Sequence, residues 1–268
     1  MMDLRAQFGF TQLPFTREIR VADRFHLQLF DEALEALLHT VEQRMSAAVI
    51  APAGTGKTAL LRAVRAGLPE ARYRVHYVKA SNLSRKDMGR EIATAVGVDA
   101  AGNFATLLRR LQERFLEASD TDGVRPVLLV DDAHDLRREV LGLVRVLTNF
   151  DMDSRLVVSV LLAGQPLLAQ NLQRPELEDV ARRLAHCATL RSLSRDETVK
   201  YLEHRCTVAG ARASPFDGGS IDAIYELGRG NLRATDALAL KSLELCCRAS
   251  ARVVDANHVV EARKLLWP

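Results

Sequence analysis

The segment Ala51-Pro-Ala-Gly-Thr-Gly-Lys-Thr58 constrains this chain more than any other feature. It follows a short apolar run, 47–51, and precedes a helical pattern, 57–66, so it reads as a loop joining a buried strand to a helix. Gly54 and Gly56 free the backbone to bend, which lets its N–H groups converge on an anion. The helix start adds partial positive charge. In such a loop Lys57 reaches the β- and γ-phosphates of a nucleotide, and the Thr58 hydroxyl ligates Mg²⁺. Pro52, Ala53, Gly54, Thr55, Gly56 and Ala59 supply the rest of the cradle. The strict pattern starts with glycine where this chain has Ala51, a position at the strand end where a small side chain is tolerated.

A loop of this kind needs a sheet behind it. Five β-rich segments stand out: 47–51, 75–79, 127–131, 156–162 and 187–191. The third and fourth are almost continuously apolar, as strands buried on both faces must be. Helical patterns lie between the strands at 57–66, 84–96, 103–119 and 135–149, and this alternation predicts a parallel α/β layer. After about Leu193 only helical patterns remain, at 194–209, 219–228, 231–250 and 255–267. Ser194 with Glu197 three residues later is a capping-box pattern. The expected organisation is therefore an α/β domain over 1–192, with an N-terminal extension, and a small all-helical domain over 193–268.

The second motif is Pro126-Val-Leu-Leu-Val-Asp-Asp-Ala-His134, an apolar strand that ends in two carboxylates. Asp131 is the expected Mg²⁺ partner, acting through coordinated water. Asp132 either orients the attacking water or caps the following helix. Glu is usual at that position, and Asp is one methylene shorter. His134 reads as a surface residue or a neighbour of the site rather than a metal ligand. Arg182, Arg183 and Arg233, taken alone, read as solvated arginines.

Composition narrows the class. Apolar residues make up 48% and charged residues 26%, as in an ordinary globular protein. The longest strongly apolar run, 156–164, falls far short of the roughly 20 residues that cross a bilayer. The N-terminus shows no secretory pattern, so the expected location is cytoplasmic, without membrane insertion. The four cysteines lack metal-ligand spacing and read as reduced core thiols. Net charge is +3, yet residues 62–90 hold eight Lys/Arg against two acids. That segment is either a local binding face or a solvated surface.

Together the motifs resemble an AAA+ ATPase, and within that class the ExeA-type and transposition-ATPase group that includes TnsC- and TniB-like proteins. The resemblance runs through Phe8-Gly-Phe-Thr-Gln-Leu-Pro-Phe15, the phosphate loop, 128–134, Leu147-Thr-Asn-Phe-Asp-Met-Asp-Ser-Arg155, Ala163-Gly-Gln-Pro-Leu167, Arg182-Arg-Leu184, 193–198 and Gly230-Asn-Leu-Arg233. It implies a five-stranded parallel-sheet P-loop core followed by a helical lid, with ATP and Mg²⁺ as ligands. It implies that Gln165 senses the γ-phosphate and that Arg183 acts in trans on a neighbouring subunit's ATP. Arg233 would contact the nucleotide of its own subunit, and Phe15 would pack near the adenine. Partners implied are further copies of the chain, in an ATP-dependent ring or helical filament, duplex DNA, a DDE transposase and possibly another transposition protein. Lys79, Arg85 and Lys86 are the expected DNA contacts. Two other readings stay open: a scaffold that binds ATP with little hydrolysis, and an ExeA-like ATPase that energises an envelope machine.

Overall fold

The computed structural model describes residues 4–266. Trp267, at the end of the helix predicted over 255–267, and the outer ends of the two expected domains lie outside them. In chain order the elements are α1 (Leu4–Phe8), α2 (Gln28–Glu42), β1 (Ser46–Ile50), α3 (Lys57–Gly67), β2 (Tyr73–Lys79), α4 (Arg85–Val96) and α5 (Phe104–Asp120). They continue with β3 (Arg125–Asp131), α6 (Arg138–Leu141), α7 (Leu143–Thr148), β4 (Ser159–Gly164), α8 (Pro166–Leu172), α9 (Glu178–Ala181) and β5 (Leu184–Thr189). The chain closes with α10 (Arg195–Val208), α11 (Gly218–Gly228), α12 (Leu232–Arg248) and α13 (Ala256–Leu265). These fall into two compact units, one over 28–190 and one formed by 4–27 together with 191–266.

The 28–190 unit is the expected parallel sheet, with strand order β2-β3-β4-β1-β5. β1 and β4 are buried at every position, and β3 at every position except Arg125. The edge strands β2 and β5 are buried only in part. Central strands of a parallel sheet have both faces covered, which explains their unbroken apolar runs. One face carries Leu128, Val130, Val160 and Leu162 in a cluster with Ile92, Leu107, Leu111 and Phe115 from α4 and α5. Burying each such side chain contributes about 1.5–3 kcal/mol relative to exposure. Ser84 and Asn103 start α4 and α5 by accepting the backbone N–H of Asp87 and Thr106.

Local details differ from the sequence pattern. The single helix expected over 135–149 is a 3-10 turn at Ala133–Asp135 followed by α6 and α7, with Arg137 extended and Gly142 at the join. Leu136, Val140, Leu141, Leu143, Val144 and Leu147 are all buried. All but Leu141 keep the spacing of one helical stripe, so the sequence pattern reads straight through the breaks at Arg137 and Gly142. α2 was not foreseen, although it buries Phe30, Ala33, Leu37 and Val41 at helical spacing. Cys206, Cys246 and Cys247 are buried free thiols as expected, whereas Cys187 on edge strand β5 is exposed.

In the other unit α10 begins with the foreseen capping box, Ser194 and Glu197 each accepting the other's backbone N–H. Arg191 makes a bidentate pair with Glu197 at 2.7 and 2.8 Å and, as the largest influence, lowers its carboxyl to about 2. Gly230 has φ 65°, and a Cβ there would lie 2.0 Å from the Leu193 carbonyl oxygen. Leu193 donates its N–H to Gly230 at 2.8 Å, so the turn before α12 closes on the start of α10 and admits only glycine.

The N-terminal stretch, expected as an extension of the α/β domain, packs within this helical unit. Phe10 and Phe15 enter a core with Leu202, Cys206, Phe216 and Leu243. Phe15 stacks edge-on against Phe216 and lies under the Arg205 guanidinium. Arg205 is 7% exposed and donates to the Thr16 carbonyl, to the Tyr201 hydroxyl and, at 3.4 Å, to Asp236. Tyr201 donates to the other Asp236 oxygen at 2.7 Å. Burial pushes the Asp236 carboxyl up to about 6, against the opposing pull of Arg205 and Tyr201. Its folded value stands above the ordinary 3.8, so the folded state holds its proton longer than the unfolded chain does. This group's stabilisation is therefore full below about pH 4 and is lost as pH rises to about 6. Denaturant melts between pH 4 and 7 are expected to show that decline, with the slope reduced in Asp236→Asn.

Candidate nucleotide site

The loop between β1 and α3 owes its shape to its glycines. Gly54 has φ 76° and Gly56 φ 103°, backbone regions that ordinary side chains avoid. Ala51 is fully buried and its φ is not positive, so the departure from glycine there costs nothing in conformation. Ala51 is tied to β4 by its N–H to the Gly164 carbonyl, 3.0 Å. Thr55 bridges the loop by donating to the Pro52 carbonyl at 2.8 Å. Lys57 is 7% exposed and its Nζ donates to the carbonyls of Ala51 (3.0 Å) and Pro52 (2.9 Å). The N–H groups of the first turn of α3, through Thr58 and Ala59, have no acceptor within the helix, which makes this end suited to an anion. Pro52, Ala53, Thr58 and Ala59 are exposed on the same loop and turn.

Strand β3 brings the carboxylates to this loop. Thr58 Oγ1 donates to Asp131 Oδ2 at 2.6 Å, and the Asp132 N–H donates to Asp131 Oδ1 at 2.9 Å. Asp131 is 2% exposed. A hydroxyl and a buried carboxylate in contact form the oxygen donor pair that Mg²⁺ takes alongside phosphates and water. Among the described residues no group of three or more His, Cys, Asp or Glu side chains forms a metal cage.

The sequence reading missed what β2 contributes. Lys79 is in register with Asp131, and Tyr77, two residues earlier, lies on the same face. The Tyr77 hydroxyl donates to Asp131 Oδ2 at 3.3 Å, and Lys79 Nζ lies 3.5 Å from Asp132 Oδ2. Desolvation first, and the Asp131 carboxylate next, push the Tyr77 phenol up to about 12. Asp132 has φ 54° and makes no side-chain cap to the following turn. Lys79, expected at a DNA face, thus faces the second carboxylate. Arg85 lies over the Phe104 ring, and both Arg85 and Lys86 are exposed in the first turn of α4.

Gln165 closes the end of β4 and pairs through its amide with His134. Arg183 lies just before β5, its side chain 19% exposed, in a bidentate pair with Asp153 at 2.5 and 2.7 Å. The hydrogen bond from Arg183 is the largest influence holding the Asp153 carboxyl below its usual range. Asp153 ends the turn Asp151–Asp153, whose three residues have φ of 47°, 57° and 69°. Left-handed backbone costs a non-glycine residue roughly 1–2 kcal/mol, and the turn leaves Met152 98% exposed at its tip. In the helical unit Arg233 is exposed in the first turn of α12, after the N-cap Asn231. Phe15, expected beside the adenine, is 4% exposed in that unit's core.

Comparison with known proteins fits this geometry. The chain is 27% identical over 254 residues to the general secretion pathway protein A of Aeromonas hydrophila, covering 93% of this chain and 46% of that protein. It thus spans about half the length of that relative. Among solved structures it is similar to the ORC1 protein of Aeropyrum pernix in complex with DNA (TM-score 0.69, 18% identity, 96% of this chain and 69% of that one). It is also similar to the ORC2 protein of the same organism, solved as ADPNP–ADP complexes (TM-score 0.68, 16% identity, 97% and 71%). A third similar structure is the Thermotoga maritima RuvB Holliday junction branch migration motor (TM-score 0.61, 16% identity, 90% and 70%). At these identities the structural likenesses establish the fold. Residues 31–172, more than half of the chain, match the AAA domain family, and the chain belongs to that family of P-loop ATPase domains.

Proposed function

We propose that this protein hydrolyses ATP with Mg²⁺ in a site completed by the next copy of the chain, so that ATP governs its assembly. The observation that carries the reading is the meeting of Lys57, Thr58 and Asp131 at the end of a parallel sheet whose far flank holds Arg183. Lys57 exchanges the Ala51 and Pro52 carbonyls for phosphate oxygens. Thr58 and Asp131 hold Mg²⁺, which neutralises charge on the phosphates. Asp132 orients the attacking water and, with its short side chain, keeps turnover slow. Gln165 donates to the γ-phosphate, and Arg233 contacts the nucleotide of its own subunit. Arg183 exchanges the Asp153 carboxylate for the neighbour's phosphate, one anion for another, so that assembly and turnover are coupled.

For the partner of this assembly we favour duplex DNA, with targeting of a transposase as its purpose. The basic segment supports this, with Arg85 and Lys86 exposed at the start of α4. A second reading, an energy-supplying role in an envelope machine, is favoured by the match to a general secretion pathway protein. Electron microscopy and filter binding with duplex DNA, with and without a non-hydrolysable ATP analogue, separate the two. The DNA reading expects ATP-dependent, salt-sensitive association weakened by Lys86→Glu. No association at low salt rejects it.

A further inference from the structure

His134 is not one of the groups assigned above to phosphate, metal or water. Its side chain is 9% exposed, yet its imidazole meets the Gln165 amide, 31 residues away in sequence. Gln165 occupies the N-cap position of α8 but gives that helix no side-chain cap, so its amide is not engaged in starting the helix. The approach is tight. A Cβ on Gly164 would stand 3.1 Å from the His134 backbone nitrogen and 2.7 Å from Leu168 Cδ2. The end of β4 and the turn after β3 therefore touch with no room for a side chain between them. His134 Nδ1 is buried and has no hydrogen-bond partner among the described residues. The Asp135 carboxylate lies 3.6 Å from the other ring nitrogen, Nε2. A buried polar atom left unpaired is costly, and it calls for a reason other than packing.

We propose that His134 is a positioning residue that fixes the Gln165 amide for hydrolysis; this rests on the reading of Gln165 as the γ-phosphate sensor. A glutamine amide carries two N–H donors and one acceptor on a flexible stem. Unrestrained, it samples rotamers and presents either end to an anion. A neutral imidazole that accepts from the amide nitrogen settles both choices. One N–H is held by His134 Nε2, and the second N–H of the same NH₂ group remains to donate onward. The proton of the ring then resides on Nδ1, and leaving that buried donor unpaired is the cost of keeping Nε2 free to accept from the amide.

The test compares His134→Ala, His134→Gln, Gln165→Ala and the His134→Ala/Gln165→Ala double variant. For each, kcat, the affinity for a fluorescent ATP analogue and the melting temperature are measured. The expected loss for His134→Ala is about 10- to 100-fold in kcat, the scale of a misplaced catalytic group, with ATP affinity unchanged. His134→Gln places an amide oxygen where Nε2 stood and is expected to recover most of the loss. The double variant is expected to be no worse than Gln165→Ala alone, because both changes remove one device. Wild-type kcat in His134→Ala, or losses that multiply in the double variant, overturn the proposal while leaving Gln165's own role standing. Full turnover in Gln165→Ala overturns both the sensor reading and the proposal built on it.

Discussion

Lys57→Ala is expected to lower ATP turnover by about 10²–10³-fold, the scale of removing one preorganised donor from developing charge. In the structure the ammonium is already buried in the loop, held by the carbonyls of Ala51 and Pro52. Its charge is therefore held within the loop, ready to exchange those carbonyls for phosphate oxygens. Removing it withdraws that charge and one donor from the Ala51 carbonyl, while the Pro52 carbonyl keeps the Thr55 hydroxyl. The sheet and the Asp131–Thr58 contact do not depend on Lys57, so the variant is expected to fold, which a thermal melt checks. Asp131→Asn tests the neighbouring claim. It keeps the shape of the side chain and removes the charge that Mg²⁺ requires, so turnover falls to a similar extent and added Mg²⁺ no longer stabilises the protein in a thermal melt. Retained turnover in either variant would place hydrolysis elsewhere.

Arg183→Ala is expected to lower turnover by about 10³-fold or more, the scale of an arginine that stabilises phosphoryl transfer, while ATP affinity in the isolated chain stays unchanged. Local geometry alone would suggest a structural arginine, because the side chain is mostly buried against Asp153. The turn that carries Asp153 argues for more. Three consecutive non-glycine residues in left-handed conformation are strained, and such strain persists where function uses it. Asp153→Ala separates the roles. If the pair only stabilises the fold, this variant melts earlier and turns over normally once folded. If Asp153 holds Arg183 back until a neighbour arrives, turnover rises at protein concentrations too low for full assembly. Steady-state ATPase assays over a concentration series read both outcomes.

The sequence was legible where physics is local. The phosphate loop could be read because glycine, lysine and threonine at that spacing have one common use, and the observed φ values at Gly54 and Gly56 express it. The parallel sheet was legible from the unbroken apolar runs of β3 and β4, and α10 from the Ser194–Glu197 box. Edge strand β5 was displaced by a few residues, since a strand covered on one side carries a weaker pattern. The helix after Asp131 was drawn too long because its apolar residues keep one helical spacing across the breaks at Arg137 and Gly142. The contacts that complete the site were not legible. Tyr77 with Asp131, His134 with Gln165 and Arg183 with Asp153 join residues 54, 31 and 30 positions apart. No local periodicity encodes such pairs; strand order alone brings them together. The fate of Phe10 and Phe15 was hidden for the same reason, because their partners on α10–α12 lie about 190 to 230 residues away along the chain.

The central claim, one ATP site made by two copies of the chain, is tested most directly by mixing two inactive variants. Arg183→Ala keeps its own phosphate loop, and Lys57→Ala keeps its arginine. In a head-to-tail assembly, which pairs one face of each copy with a different face of the next, a one-to-one mixture restores about a quarter of the junctions. The account predicts that the mixture regains about a quarter of wild-type ATPase activity, although each variant alone is inactive. A mixture as inactive as its components, at concentrations where the wild type assembles, would contradict it.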